Sequence, residues 1–377
     1  MNEYPKKNIG IITYHAAYNF GSVLQAYATQ EAVRKLGFNP EIINYRLSTQ
    51  KDYYEPLYRT RFGWKKLVLD LEMFPVASQR KMRRINYEKF ISEYMNLSEE
   101  LTEPEDVKNI YDRYKTIVSG SDQIWNLHSF ELDGQNSNYI SPYLLESYRG
   151  KAISYASSVA NMSDEELDWL ISRIKHFSAV SIREQSSINR IKNIYNSNIV
   201  HVCDPTFLLT KEEWIERLNL SNTQNEDYIL YYSLGESYFQ LRNFEPLKKI
   251  SRFHECPIHV VTPFAYLPSG GGLINCSFFG PKEFLVDLYN SKAVITDSFH
   301  GTALSIVFRK NFRSLIKNQG SEFRKSDLLT CIGIADSDRT SIDSLYSDKL
   351  ITEYSDVVEN KISDYISNSY KYLETNI

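Results

Sequence analysis

Short apolar runs recur along this chain, and each one ends in small or polar residues. Asn8-Ile-Gly-Ile-Ile-Thr-Tyr14 reads as a buried first strand, and residues 15–22 as a polar loop containing a glycine. The spacing of Val23, Ala26, Tyr27, Ala32 and Val33 predicts a helix over 23–36, with Gly37 as its C′ stop. Residues 40–45 read as a second strand. Strand, helix and strand in so short a space make a βαβ unit, which predicts a parallel sheet. The rhythm returns at 114–119, 151–155, 179–182 and 199–202, each run leading into a polar segment. In open α/β sheets such carboxyl ends face the ligand crevice.

Residues 211–227 are polar and read as a domain linker. The strand pattern restarts at 228–233 and returns at 257–261 and 293–297. Residues 268–272 read as a loop, and Pro281 opens a helix running to about 289. The chain therefore predicts an α/β protein with two Rossmann-like domains, 1–210 and 225–350, facing a central cleft. Residues 351–377 read as a terminal helix, which is open to packing back on the first domain. An insertion at 46–90, assigned to the first domain, is rich in Arg, Lys, Tyr and Phe, as in Tyr58-Arg-Thr-Arg-Phe-Gly-Trp-Lys-Lys66 and Gln79-Arg-Lys-Met-Arg-Arg84. It has two readings: a helix with a solvated basic face, or a surface for an anionic membrane or a lipid-linked substrate.

Composition narrows the classes. With 377 residues, 42% hydrophobic and 24% charged, this is an ordinary globular chain of two-domain size. A net charge of −4 gives no global case for nucleic acid. The cysteines at 203, 256, 276 and 331 form no CxxC pair, so reduced thiols in a cytoplasmic protein are expected and a zinc site is not. The apolar stretch at 9–12 is too short for a signal core, and no segment approaches the roughly 18 residues of a membrane span.

Three segments carry candidate chemistry. Asp297-Ser-Phe-His300-Gly-Thr-Ala lies where a strand becomes a helix. A helix N-terminus suits an anion, Ser298 and Thr302 add hydroxyls, and Gly301 permits close approach. His300 reads either as an acid–base group or as a histidine packed at a strand end. Gly120-Ser-Asp122-Gln123-Ile-Trp125-Asn126 offers an acid, two amides and an indole, a set that suits a sugar. The plainer alternative puts Trp125 in the core and makes Asp122 a helix cap. Arg183 at another strand end suits a carboxylate or phosphate, or pairs with Glu184. Asn19-Phe-Gly21-Ser22 opens the first helix but is not GxGxxG, so a dinucleotide is not supported. No P-loop or nucleophile elbow appears.

Together these stretches resemble the polysaccharide pyruvyltransferase family over about residues 8–332. The matching segments are Ile11-Ile-Thr-Tyr-His-Ala-Ala-Tyr-Asn-Phe-Gly-Ser-Val-Leu-Gln-Ala-Tyr, Ser119-Gly-Ser-Asp-Gln-Ile-Trp-Asn, Ser154-Tyr-Ala-Ser-Ser, Ser181-Ile-Arg-Glu, Asp204-Pro-Thr and Thr296-Asp-Ser-Phe-His-Gly-Thr-Ala. The resemblance implies a GT-B-like fold, with an acceptor side in the first domain and a donor side in the second. It implies transfer of pyruvate from phosphoenolpyruvate to two hydroxyls of a sugar as a cyclic ketal, with release of phosphate. His300 then matches the catalytic histidine, and Arg183 the donor-contacting arginine. Asp122 joins them as a candidate catalytic group, with Asn19, Gly21, Ser22, Gln123, Trp125 and Asn126 around the acceptor. Ser298, Gly301, Thr302 and Arg324 or Lys325 would surround the donor. Well-studied members read Arg-Leu-His where this chain reads Ser298-Phe299-His300, so one donor-binding arginine is absent.

The expected activity uses no metal and no cofactor, with phosphoenolpyruvate as co-substrate and an oligosaccharide or lipid-linked glycan as acceptor. Two other readings stay open. One is a glycosyltransferase of the same architecture with a nucleotide-sugar donor. The other is a non-catalytic glycan-binding scaffold. A cytoplasmic location, with peripheral contact at the inner membrane face, accompanies the first reading.

Overall fold

The computed structural model describes residues 8–47, 74, 77–129, 137–160, 162–194, 198–221, 227–234, 244–263, 270–315, 323–334, 338–339 and 341–377. The basic run at 58–66, the middle of the expected linker and the start of the 268–272 loop lie outside these residues. The chain divides into two compact units. One comprises Met1–Gln50, Ser92–Leu209 and Glu359–Ile377; the other comprises Lys51–Ile91 and Thr210–Val358.

The first unit is built on parallel strands β1 (Asn8–Ile12), β2 (Asn39–Ile42), β3 (Thr116–Ser119) and β4 (Lys151–Ser154), in the order β2–β1–β3–β4. Strands β5 (Val180–Ile182) and β6 (Ile199–His201) form a parallel pair. Ser178 N–H donates to Ala152 O at 2.8 Å and Ser154 N–H to Ala179 O at 3.0 Å, so β5 continues the sheet beside β4. The strands read as unbroken apolar runs because helices cover both faces, and all four residues of β3 are buried. The first helix runs Phe20–Lys35, three residues earlier than its apolar spacing suggests. Every residue from Phe20 to Val33 is buried, so no polar face marks its first turn.

The second unit is a six-stranded parallel sheet in the order β12–β11–β10–β7–β8–β9. Its strands are β7 (Ile229–Tyr232), β8 (Ile258–Val261), β9 (Leu273–Asn275), β10 (Ala293–Thr296), β11 (Asn311–Leu315) and β12 (Asp338–Arg339). Ile229, Tyr231, Ile258, Val260, Ala293 and Ile295 alternate into one core cluster.

Three sequence expectations change. Lys211–Leu218 is a helix rather than linker, with Thr210 and Glu213 closing a capping box. The helix Ala77–Tyr94 in the basic insertion groups mainly with the second unit, not the first. Arg83 there is buried, donating to the carbonyls of Thr262 at 3.2 Å and Ser277 at 3.3 Å, and Arg80 is buried too, so part of the expected basic face points inward. The terminal helix Asp356–Asn376 belongs to the first unit from Glu359 onward. Its Tyr372 hydroxyl donates to Ser154 O at 2.8 Å, Tyr365 to Val202 O at 3.0 Å, and Ser369 Oγ accepts from Cys203 N–H at 2.8 Å. That helix thereby covers the carboxyl ends of β4 and β6.

Candidate functional site

Strand order reverses between β1 and β3 in the first unit and between β7 and β10 in the second. Ligands of open α/β sheets bind at such switch points, beyond the carboxyl ends. The candidate residues concentrate at both.

In the first unit, Asn19 caps the first helix by accepting from Gly21 N–H at 2.9 Å. Ser22 Oγ donates to Asp122 Oδ2 at 2.7 Å. Asp122 sits at φ 66°, in the left-handed region where Asp is tolerated, and its other oxygen accepts from Gln123 N–H at 2.9 Å. The turn begins at Gly120, at φ 126°, where an added Cβ would lie 2.2 Å from the Tyr155 carbonyl oxygen. Gln25 ties the two strand ends together, donating to Thr13 Oγ1 at 2.9 Å, while Thr13 Oγ1 donates to Ser121 O at 2.9 Å. Gln25 was not singled out from sequence; its signal is a polar side chain at a helix position facing the sheet. Gln123 and Asn126 bond to each other at 2.8 Å, and Asn126 also accepts from His128 N–H.

Two residues of this unit take the plainer of the two readings their sequence allowed. Trp125 is fully buried; its Nε1 donates to Tyr143 O at 3.3 Å, and its ring meets Phe177 edge-on at 5.8 Å. It is core, not a stacking platform for a sugar. Arg183 does not face a ligand either, because its side chain is 1% exposed. Its Nη1 meets Asp204 at 2.7 Å and its Nε meets Glu184 at 3.2 Å. Burial opposes the charge, but Glu184, Asp204 and Asp122 outweigh it and raise the guanidinium pKa. Asp204 also accepts from Thr206 N–H and its hydroxyl, which caps the turn Pro205–Leu208. Cys203 is buried there, its thiol pushed up to about 12 by desolvation, which removes it as a nucleophile.

In the second unit, β10 leads through Asp297 into the helix Phe299–Val307, whose first turn holds no acidic residue. Ser298 is the N-cap, accepting from Gly301 N–H at 3.3 Å, and its own N–H donates to Thr296 Oγ1 at 3.0 Å. His300 stands in that first turn, buried, edge-on to Phe299 at 5.3 Å. Asp297, which sequence did not single out, joins the turn to the end of β7: its carboxylate accepts from Ser233 Oγ and Leu234 N–H, each at 2.7 Å. Thr302 is fully buried and its hydroxyl donates to Ser298 O at 3.0 Å, so it braces the cap rather than offering a ligand donor. Gly301 is demanded by the protein's own packing, since a Cβ would lie 2.4 Å from Thr296 Oγ1 and 2.9 Å from the Tyr232 ring. Arg324 is half-buried in the helix Phe323–Ile332. Its neighbour Lys325 is buried, with Nζ donating to Asp297 O at 3.0 Å and also to Leu315 O. Among the described residues, no group of His, Cys, Asp and Glu is placed to hold a metal, and no helix is long and apolar enough to cross a membrane.

Residues 19–316 match the family model described as polysaccharide pyruvyl transferase. No curated protein matches the sequence. Among solved structures, the UDP-GlcNAc 2-epimerase of Methanocaldococcus jannaschii aligns at a TM-score of 0.52 and 12% identity, over 98% of this chain and 99% of that one. The Arabidopsis thaliana protein UGT89C1 complexed with UDP aligns at 0.48 and 10% identity, over 98% and 99%. The alignment with the epimerase makes the fold GT-B-like.

Proposed function

This chain belongs to the polysaccharide pyruvyl transferase family, and from that premise we propose that it transfers the pyruvyl group of phosphoenolpyruvate to a glycan as a cyclic ketal. The observation that supports this reading best is His300 in the first turn of a capped helix at the β7/β10 switch point. The helix dipole favours the donor's phosphate and carboxylate there. One sugar hydroxyl adds to the enol carbon bearing the phosphate, and a proton goes to the donor methylene, which becomes the ketal methyl. The second hydroxyl then displaces phosphate and loses its proton to it. His300 carries one of these protons, to the methylene carbon or from a hydroxyl. Asp122, held by Ser22 at the β1/β3 switch point, takes the acceptor hydroxyls. The acceptor class is an oligosaccharide or a lipid-linked glycan.

Phosphate release from phosphoenolpyruvate, dependent on added glycan, tests the proposal. His300→Ala is expected to lower turnover by about 10²–10⁴-fold, the usual worth of a positioned acid or base. Full turnover in that variant would remove the assignment. Stabilisation of the wild type by a nucleoside diphosphate but not by phosphoenolpyruvate would point instead to a nucleotide-sugar donor. A ligand at a hundred times its Kd adds about 2.7 kcal/mol, which a melting curve resolves.

A further inference from the structure

We propose that Gln25 is the positioning residue for Asp122, an inference that rests on the acceptor role proposed above for that carboxylate. Gln25 lies in the second turn of the helix Phe20–Lys35 and is fully buried, so it meets no ligand itself. Its Nε2 reaches three oxygens: Thr13 Oγ1 at 2.9 Å, Tyr14 O at 3.1 Å and Ser22 O at 2.8 Å. Three acceptors around one end of the amide require its NH2 there rather than its carbonyl. Two routes lead from this amide to Asp122. Along the first, Ser22, held through its carbonyl, donates its hydroxyl to Asp122 Oδ2 at 2.7 Å. Along the second, Thr13 Oγ1 accepts from Gln25 and so directs its own proton to Ser121 O, at 2.9 Å, in the residue before Asp122. Asp122 stands at φ 66°, a conformation that a non-glycine residue keeps only where its surroundings hold it. A carboxylate has about four acceptor positions. Among the described residues, Ser22 and Gln123 take one on each oxygen, which leaves one on each for the acceptor. Ketal formation needs two hydroxyls held together, so turning this carboxylate would misplace both.

Gln25→Met keeps the chain length and removes the amide. In glycan-dependent phosphate release from phosphoenolpyruvate it is expected to lower kcat by about tenfold to a hundredfold, the scale for reacting groups displaced by about 1 Å. The donor KM should stay within about threefold of wild type, since only the acceptor side is disturbed. A brace with no connection to Asp122 would lower kcat by the same factor whatever stands at that position, so the discriminating measurement is a double-mutant cycle with Asp122→Asn. In the Asp122→Asn background, Gln25→Met should change kcat by less than about threefold, because the group it positions is already gone. Equal losses in both backgrounds would overturn the proposal, as would wild-type kcat in a folded Gln25→Met. If Gln25→Met does not fold, Thr13→Val decides, since it cuts the second route and leaves the first. A folded Thr13→Val with wild-type kcat, or with the same loss in the Asp122→Asn background, would overturn the proposal. Asp122→Asn alone separates this inference from the functional reading. Wild-type turnover there would remove the acceptor role of Asp122 and the positioning role with it. A deep loss there, beside an unaffected Gln25→Met, would overturn the positioning role alone.

Discussion

Replacing Arg183 with Met should unfold the first unit long before it touches donor binding. The guanidinium lies 2.7 Å from Asp204 and 3.2 Å from Glu184, with all three side chains at most 1% exposed. At an effective dielectric near 20, the closer contact alone amounts to an attraction of about 6 kcal/mol before desolvation is subtracted. Methionine would leave two carboxylates buried without their cation. Breaking a buried pair from one side costs about 3–5 kcal/mol. At about 2–4 °C per kcal/mol for a unit of this size, the melting temperature should fall by about 6–20 °C. Differential scanning calorimetry with and without phosphoenolpyruvate measures both quantities. The expected result is a large loss of stability with the ligand-induced shift retained in the protein that remains folded. Wild-type melting with that shift abolished would refute the reasoning and return Arg183 to the donor.

Other substitutions test packing and charge. Trp125→Phe loses the bond to Tyr143 O and should cost about 1–2 kcal/mol in urea unfolding, with the acceptor KM unchanged; a raised acceptor KM would restore its role as a sugar platform. Gly301→Ala forces a methyl against Thr296 and Tyr232 and should cost about 1–3 kcal/mol, read from the urea midpoint. Burial, with Lys211 nearby, lowers the Lys310 pKa to about 8, below its unfolded value, so between these two values the unfolded chain binds the extra proton and stability should rise as pH increases above 8. Lys310→Met should flatten that rise in melting temperatures taken from pH 7 to 10.

The strands were legible because parallel strands covered on both faces are short apolar runs, and Ile229–Tyr232 or Ala293–Thr296 can be little else. The turn at 297–300 was legible for a related reason: a serine after such a run, followed by small and apolar residues, is a cap signal. Arg183 and Trp125 misled because local sequence holds no record of burial. The nearer partner of Arg183, Asp204, is 21 residues away in sequence and that of Trp125 is 18 away. The basic face of the insertion was misjudged in part on the same ground, since Arg83 finds its carbonyls 179 and 194 residues along the chain. The helix Lys211–Leu218 is a different miss. Its capping box, Thr210 to Glu213, was present to be read, but a polar surface helix and a linker share a composition.

The same topological position carries a similar cluster in the two units, a helix N-terminus with an aspartate beside it. At the β1/β3 point a helix N-terminus faces the Asp122 carboxylate, held 2.7 Å from Ser22 Oγ. The dipole there is already answered by a negative charge, and a second anion would be repelled. What remains attractive is a neutral group that donates hydrogen bonds to a carboxylate, which describes a sugar hydroxyl. At the β7/β10 point the helix likewise opens without an acid in its first turn, and Lys325 Nζ donates to Asp297 O. Asp297 stands close by, its carboxylate bonded to Ser233 and Leu234 much as that of Asp122 is to Ser22 and Gln123. What distinguishes the second point is an imidazole, His300, in the first turn of its helix. An anionic donor of the kind proposed should bind with an affinity that falls more steeply with ionic strength than that of a neutral glycan.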